Sequence, residues 1–240
     1  MSDGKLGNFA MVLHSHIPYV LSHGRWPHGT DWLLEVTAES YIPLLDIMYD
    51  LVEEGYSPKL TIGLTPVLVE QLADESFKYE FAAYVRMRAQ AAHENKKQFS
   101  ALGNQHQAYL ADFWHDYYWK IFNNFKKRYG RNLVKAFAEL QDAGHIEIIT
   151  SAATHGYFPL LSQDVSIQAQ VKQGVRTYKK HFKRQPFGFW LPECAYRPAY
   201  RWSPPVQPKN QILEPYMRKG VEEFLSENGL RYFIIESHLL

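Results

Sequence analysis

Glu193 is the carboxylate in this sequence whose surroundings most favour a chemical role. It follows the apolar, aromatic stretch 187–192 and precedes Cys194. An unpaired carboxylate is costly to bury among such groups, so a structural glutamate here would cap a helix or form an ion pair. Beside aromatic walls it could instead attack the anomeric carbon of a sugar, forming a glycosyl ester that a second carboxyl group helps to open. That chemistry needs two carboxyl groups, one of them protonated.

Histidines follow other apolar runs of the chain. His14 and His16 flank a serine, and in an extended segment residues two apart face the same way. They could hold a divalent metal or bond adjacent sugar hydroxyls, and their spacing does not separate these options. His155 follows a third apolar run, and Glu236 and His238 follow the last. A single histidine at a strand end is more often structural than catalytic, so the pattern counts for more than any member.

Five short apolar runs predict the strands that would position these residues, and helical periodicity follows all but the last. The predicted strands span residues 9–13, 60–64, 146–149, 187–190 and 232–235. The predicted helices span residues 32–54, 67–73, 77–95, 107–143, 166–182 and 215–228. The alternation indicates an α/β fold of parallel β/α units with outer helices. In such a barrel the polar residues after the strands would gather at the C-terminal face, where barrel enzymes carry their sites.

Two segments depart from that alternation. The stretch 197–209 contains four prolines and two aromatic residues, which predicts an extended surface loop. The chain ends a few residues after the fifth predicted strand, whereas a closed barrel normally has about eight units. We therefore expect residues 1–240 to be the first part of a larger barrel.

Composition narrows the class of partner. Lys plus Arg total 26 and Asp plus Glu total 25, so no broad basic field favours nucleic acid or an anionic membrane. Cys194 is the single cysteine, and neither a leader peptide nor a membrane span of about 20 apolar residues is visible, which together favour the cytoplasm. Aromatic residues make up 15% of the chain. They could build an aromatic-rich core or supply flat faces on which sugar rings pack.

Three stretches resemble the first three signature regions of glycoside hydrolase family 57. They are residues 14–20, 153–159 and 190–196, the last reading Trp-Leu-Pro-Glu-Cys-Ala-Tyr. Residues 26–29 and 39–45 are similar as well, so the likeness covers nearly the whole chain. Within the family, the sequence looks most like the 1,4-α-glucan branching enzymes.

The resemblance implies an incomplete (β/α)7-type barrel and a retaining double displacement with Glu193 as the nucleophile. The glycosyl group would pass from an α-1,4-glucan to a 6-hydroxyl of another glucan chain, without a metal or organic cofactor. The residues that it implies around the donor sugar are His14, His16, His155 and Trp190, with Trp26 and Tyr196 as neighbours.

The family's acid/base is an aspartate in a fourth signature region, and no Asp of this chain matches it. Glu236 does not correspond to that motif. We therefore expect residues 1–240 to form the N-terminal part of the catalytic barrel and to be inactive alone. Activity would need a complementary C-terminal polypeptide, and open barrel edges could also allow self-association.

Three alternatives remain open at this stage. The first is a 4-α-glucanotransferase or amylase of the same family. The second is a metal-dependent hydrolase of the amidohydrolase type, with zinc on His14, His16 and His238. The third is a non-catalytic remnant that binds glucan.

Overall fold

The chain divides into two compact units. A computed structural model describes residues 7–207, 209, 210 and 212–239. The first unit contains the described residues of Met1–Pro18, Lys59–Val69 and Ala143–Leu240. The second contains Tyr19–Pro58 and Glu70–Asp142. No helix of the described residues is both long and apolar enough to cross a membrane.

A five-stranded parallel sheet forms the centre of the first unit. Its strands, in spatial order, are β1 (Val12–Ser15), β2 (Leu60–Leu64), β3 (Ile146–Ser151), β4 (Gly188–Trp190) and β7 (Tyr232–Ile234). All neighbouring pairs are parallel, which confirms the predicted β/α units. β1 begins three residues later than predicted, because pairing with β2 starts at Val12, while Phe9 is 87% exposed. His14 therefore lies inside the strand.

Two helices of the first unit bury their apolar faces against the core beside β4. They are α7 (Asp164–Phe182) and α8 (Val221–Glu227). Ile167, Val171 and Phe224 are buried with Phe189 of β4 in one hydrophobic cluster. Because Gly174 has no side chain, α7 approaches β3 closely: a Cβ at this position would collide with the carbonyl oxygen of Ser151.

A small hairpin replaces part of the predicted loop 197–209. The strands β5 (Tyr200–Trp202) and β6 (Tyr216–Arg218) pair antiparallel, so helix α8 begins at Val221 rather than at the predicted residue 215. The buried Trp202 donates its indole N–H to the carbonyl of Pro159 at 2.8 Å. The guanidinium of Arg218 covers the Trp202 ring at 4.7 Å and donates to Asp164 at 3.2 Å. These contacts are long-range, so local proline content predicts most of the exposed loop but not the short strand at Tyr200–Trp202.

The second unit is helical. Its helices are α1 (Thr30–Val36), α2 (Ile42–Glu53), α4 (Glu75–Ala101), α5 (Gln105–Asn123) and α6 (Leu133–Asp142), and α3 (Pro66–Ala73) crosses the boundary between the units. Wider π-helical turns cover Thr37–Tyr41 and Asn124–Arg128, so the predicted helix 107–143 is two helices with a break. Asp74 caps α4 by accepting the backbone N–H of Ser76 at 2.8 Å.

The aromatic residues serve the core and the surface alike. Large side chains that are almost fully buried include Phe77, Phe81, Phe125, Phe137, Phe158 and Phe189. Large exposed side chains on α5 include Tyr109, Phe113, Trp114 and Trp119. An aromatic-rich core therefore accounts for part of the aromatic excess, and the outer face of α5 for another part.

Candidate active site

Three imidazoles and one indole form a stack at the C-terminal ends of β1, β3 and β4. The ring of His14 lies parallel to that of Trp190, with centroids 4.3 Å apart and an interplanar angle of 8°. His155 stacks on His14 at 5.0 Å and on His16 at 4.3 Å. The two-residue period of a strand brings His14 and His16 to the same side, as predicted. The structure thus brings together four of the residues identified from the sequence.

A glycine on the neighbouring strand makes room for this stack. Gly63 pairs in register with His14, and a Cβ at this position would come within 3.0 Å of His14 Nδ1. Real Cβ atoms are seldom found so close to a neighbour. A larger residue on β2 would therefore displace the imidazole from its position.

Ser151 of β3 contacts the ring of His155. The hydroxyl of Ser151 donates to the carbonyl oxygen of Trp190 at 2.7 Å and lies 3.1 Å from Nδ1 of His155. The His155 side chain is 5% exposed, and its backbone has a left-handed φ of 56°. His16 lies at the other end of the row, with Nδ1 3.3 Å from the hydroxyl oxygen of the buried Thr65.

Glu193 follows β4 in the short 3-10 turn Pro192–Cys194. Its φ is 53° and that of Cys194 is 52°, both in the left-handed region that only glycine enters without strain. Strained backbone of this kind costs about 1–3 kcal/mol per residue and clusters at functional sites. One carboxylate oxygen lies 3.8 Å from Nε2 of His155. The side chain is 70% exposed, so the carboxylate avoids the cost of burial among its apolar neighbours in sequence.

Burial keeps the three imidazoles neutral at physiological pH. It is the main reason why the pKa of His14 falls to about 3 and that of His155 to about 4. Positive charge on a neighbouring imidazole lowers both values further. Burial also lowers the pKa of His16, and the negative charge of Glu193 opposes that shift. The stack therefore presents neutral rings beside an exposed carboxylate, which suits a neutral, hydroxyl-rich ligand.

Comparison with known proteins identifies the family. Residues 10–239 match the model of Glycosyl hydrolase family 57. This chain belongs to glycosyl hydrolase family 57. Its match covers every residue of the ring stack and Glu193.

Relatives within family 57 include enzymes and solved structures. The chain is 44% identical to 1,4-alpha-glucan branching enzyme TK1436 of Thermococcus kodakarensis, over 98% of this chain and 33% of that protein. The GH57-type branching enzyme of Pyrococcus horikoshii superposes with a TM-score of 0.89 and 45% identity, over 96% of this chain and 42% of that one. The alpha-amylase AmyC of Thermotoga maritima superposes with a TM-score of 0.78 and 30% identity, over 95% of this chain and 39% of the AmyC chain.

These matches confirm the predicted fold class. The family 57 chain contains five parallel β/α units of an incomplete (β/α)7-type barrel. It spans about a third of the length of the Thermococcus relative and about two fifths of the Pyrococcus chain.

Other residues that the sequence suggested do not join the stack. Trp26 belongs to the second unit, where the residue is 82% exposed. The ring of Tyr196 packs against Phe233, with centroids 5.6 Å apart. Burial raises the pKa of the Tyr196 hydroxyl, and a hydrogen bond to Glu222 raises it further. Their roles at a donor site remain predictions.

Residues after the fifth strand of this family 57 chain are open to solvent. Glu236 and His238 are both exposed. Burial, followed by the negative charges of Glu236 and Glu193, raises the pKa of the Cys194 thiol. The negative charge of Glu236 therefore acts on Cys194, the residue that follows Glu193.

The ligand set required by the amidohydrolase alternative is not assembled. Across the described residues, the one group of three possible metal ligands is Asp112, His115 and Asp116, which lies on α5 in the second unit. Its imidazole already accepts from Trp119 Nε1 at 3.0 Å and lies 2.9 Å from Asp116. The histidine set proposed for zinc does not form a comparable group.

Sequence reasoning missed Ser151 and Gly63, two of the residues that support the family 57 ring stack. A glycine inside an apolar strand is a known sign of close approach, so Gly63 could have been found. Ser151 lay two residues beyond the predicted end of its strand, and nothing local distinguished it from a surface serine.

Proposed function

We propose that this chain supplies the donor-sugar site and the nucleophile, Glu193, of a retaining 1,4-α-glucan branching enzyme. The observation that carries the proposal is the exposed carboxylate of Glu193, held on a left-handed turn 3.8 Å from the neutral His155. An exposed nucleophile can meet a polymer chain, and the uncharged ring stack that includes His155 lies beside it.

In the first step, a carboxylate oxygen of Glu193 bonds to the anomeric carbon of the donor glucan. The bond from that carbon to the leaving glucan oxygen breaks, and the oxygen takes a proton from a second, protonated carboxyl group. In the second step, a 6-hydroxyl of another glucan attacks the glycosyl ester and gives its proton to that second carboxyl group. Glu193 leaves as a carboxylate, and the configuration at the anomeric carbon is retained.

We place the second carboxyl group on a complementary C-terminal polypeptide. Two observations support this proposal. The chain spans only 33% of the Thermococcus relative and 42% of the Pyrococcus chain. The edge strands β1 and β7 each have one neighbour among the described strands. Self-association through these edges is the competing arrangement. The chemistry needs no metal or organic cofactor. The single cysteine favours a cytoplasmic location.

Substitution of Glu193 tests the proposal in the protein together with its complementary part. Glu193→Ala should lower the branching of amylose by at least about 10³-fold, because the covalent intermediate no longer forms. Azide should then restore cleavage of an α-glucosyl fluoride and give a β-glucosyl azide, since the small anion attacks from the face that the carboxylate vacates. Full branching activity in Glu193→Ala, or azide products of unchanged configuration, would contradict this role.

A parallel substitution locates the acid. Glu236→Gln should retain branching activity if the acid lies on the complementary part, whereas a loss comparable to that of Glu193→Ala would move the acid into this chain. Linkage analysis of the products separates the activities within family 57: new 1,6-linkages indicate branching and new reducing ends indicate hydrolysis. The likeness to AmyC makes hydrolysis the second candidate.

Glucan binding by Glu193→Gln, with no activity in any complemented form of the wild-type chain, would instead identify a non-catalytic glucan-binding protein.

A further inference from the structure

Ser151 is a buried hydroxyl that bridges two strands and the ring stack. It is 1% exposed, and its oxygen contacts the carbonyl oxygen of Trp190 at 2.7 Å and Nδ1 of His155 at 3.1 Å. Both distances fall in the range of hydrogen bonds. A serine hydroxyl has one proton to donate and lone pairs to accept with.

Proton counting fixes the direction of both bonds. A carbonyl oxygen only accepts, so the Ser151 proton must point to Trp190. The hydroxyl oxygen is then left as an acceptor toward His155, and Nδ1 of His155 must carry the proton of that bond. A neutral imidazole has one N–H, so Nε2 is bare.

We infer that Ser151 is a positioning residue that holds His155 in the Nδ1-protonated tautomer, so that Nε2 faces Glu193 as a hydrogen-bond acceptor. The low pKa of His155, about 4, agrees with a neutral ring at pH 7. The backbone around Ser151 is fixed on both sides, because it pairs in register with Trp190 and Gly174 of α7 packs against its carbonyl.

The tautomer has a consequence for the carboxylate. Because a bare Nε2 carries no proton, His155 cannot donate to the Glu193 carboxylate even if the two groups move closer, so the nucleophilicity of the carboxylate is preserved. The separation of 3.8 Å between Nε2 and Oε1 is too long for a direct hydrogen bond. A hydroxyl group placed between two acceptors at this separation lies within hydrogen-bond distance of both and can donate its proton to either one.

The occupant of that gap rests on the proposed function. For a glucan it is a hydroxyl of the donor sugar that gives its proton to His155 or Glu193. The site would then select sugars that carry a hydrogen-bond donor at this position, because a fluorine or methoxy group there leaves both acceptors facing an acceptor. Such analogues should bind worse to the wild type than to a variant with altered tautomer.

The tautomer can be measured directly on the whole native protein. Long-range proton–nitrogen correlation spectra of protein with isotope-labelled histidine distinguish the protonated from the bare ring nitrogen for each of the 11 histidines. Loss of one set of signals in His155→Asn assigns His155. We expect the proton on Nδ1 at neutral pH in the free protein. A proton on Nε2 would overturn the inference.

Variants of Ser151 test its role as the cause. In Ser151→Ala the Nδ1 proton loses its acceptor, so the spectrum should shift toward the other tautomer. The kcat/KM, measured together with the complementary part, should fall about fivefold, the value of one neutral hydrogen bond. Ser151→Thr keeps the hydroxyl and should restore both. Ser162→Ala, at an exposed serine of the same unit, is the matched control. Unchanged His155 signals in Ser151→Ala would exclude the role.

Two outcomes separate this inference from the proposed function. If Glu193→Ala keeps full activity while the Nδ1 tautomer is found, the proposed function fails and the tautomer stands. If Glu193→Ala is inactive but His155 carries its proton on Nε2, only the positioning role of Ser151 fails. Unchanged signals from the other histidines in Ser151→Ala report that the variant is folded.

Discussion

The first unit buries imidazoles against one another and an indole, whereas the second unit buries a carboxylate under hydrogen-bond donors. In the second unit, Asp46 is 5% exposed and accepts from the Tyr129 hydroxyl at 2.5 Å and from Asn124 at 2.8 Å. Arg128 lies 3.8 Å from Asp46 and 2.7 Å from Asp50. In the first unit, both ring nitrogens of His14 are buried with no partner among the described residues.

The contrast between paired and unpaired buried atoms distinguishes a structural network around Asp46 from a candidate binding site around His14. Buried polar atoms are normally paired, and the acceptors of Asp46 follow that rule. An unpaired buried nitrogen costs about 1–3 kcal/mol, so it persists where something other than stability is gained. The His14 stack fits that description, because its neutral rings form one side of the proposed sugar site.

The largest effect on stability at neutral pH is expected from breaking the network of the second unit. Asp46→Ala should lower the free energy of unfolding by about 3–5 kcal/mol, because it leaves two donors, the Tyr129 hydroxyl and the Asn124 amide, without their acceptor. Tyr129→Phe removes one donor only and should cost about 1–2 kcal/mol. Urea unfolding monitored by circular dichroism measures both. A loss below about 1 kcal/mol in Asp46→Ala would mean that the network is not a structural requirement.

The histidine stack predicts the next effect, a dependence of stability on pH. The pKa values of His14 and His155 fall in the folded state from 6.5 to about 3 and about 4. Below pH 6.5 the unfolded chain therefore binds protons that the folded chain does not. Stability from this source is complete above pH 6.5 and is lost as pH falls toward these folded values, by about 1.4 kcal/mol per pH unit for each histidine.

His14→Phe isolates that contribution, since phenylalanine keeps the stack on Trp190 but does not titrate. The difference in free energy of unfolding between variant and wild type should move in favour of the variant as pH falls from 6.5 to 4. A pH-independent difference would show that folding does not lower the pKa of His14. The pH dependence should be the same in Tyr129→Phe as in the wild type, because that substitution lies in the other unit.

The smallest effect is expected from the glycine that admits the stack. Gly63→Ala would place a Cβ near His14 Nδ1, and either the ring or β2 must shift by a few tenths of an ångström. We expect a loss of stability of about 1 kcal/mol and a larger proportional loss of activity, about tenfold, because the stack moves. Gly7→Ala is the control, since no atom lies within 4 Å of a Cβ there. Equal activity in the two variants would mean that the position of His14 does not matter.

Local patterns were sufficient for much of the fold and part of the site. Apolar runs located all five strands of the sheet, and the rule that parallel strands end on one side grouped His14, His16, His155 and Glu193 correctly. The errors came where long-range contacts override local preference. Contacts of Arg218 with Trp202 accompany a short hairpin whose first strand interrupts the predicted proline-rich loop.

The sequence alone determined the family, the order of the strands and the residue types at their ends, because strand periodicity and motif strings are local properties of the chain. The tertiary structure alone decided the protonation of the site. Whether His155 is neutral depends on burial by residues far away in the chain, and which of its nitrogens carries the proton depends on Ser151 and the carbonyl of Trp190, which meet only when β3 pairs with β4.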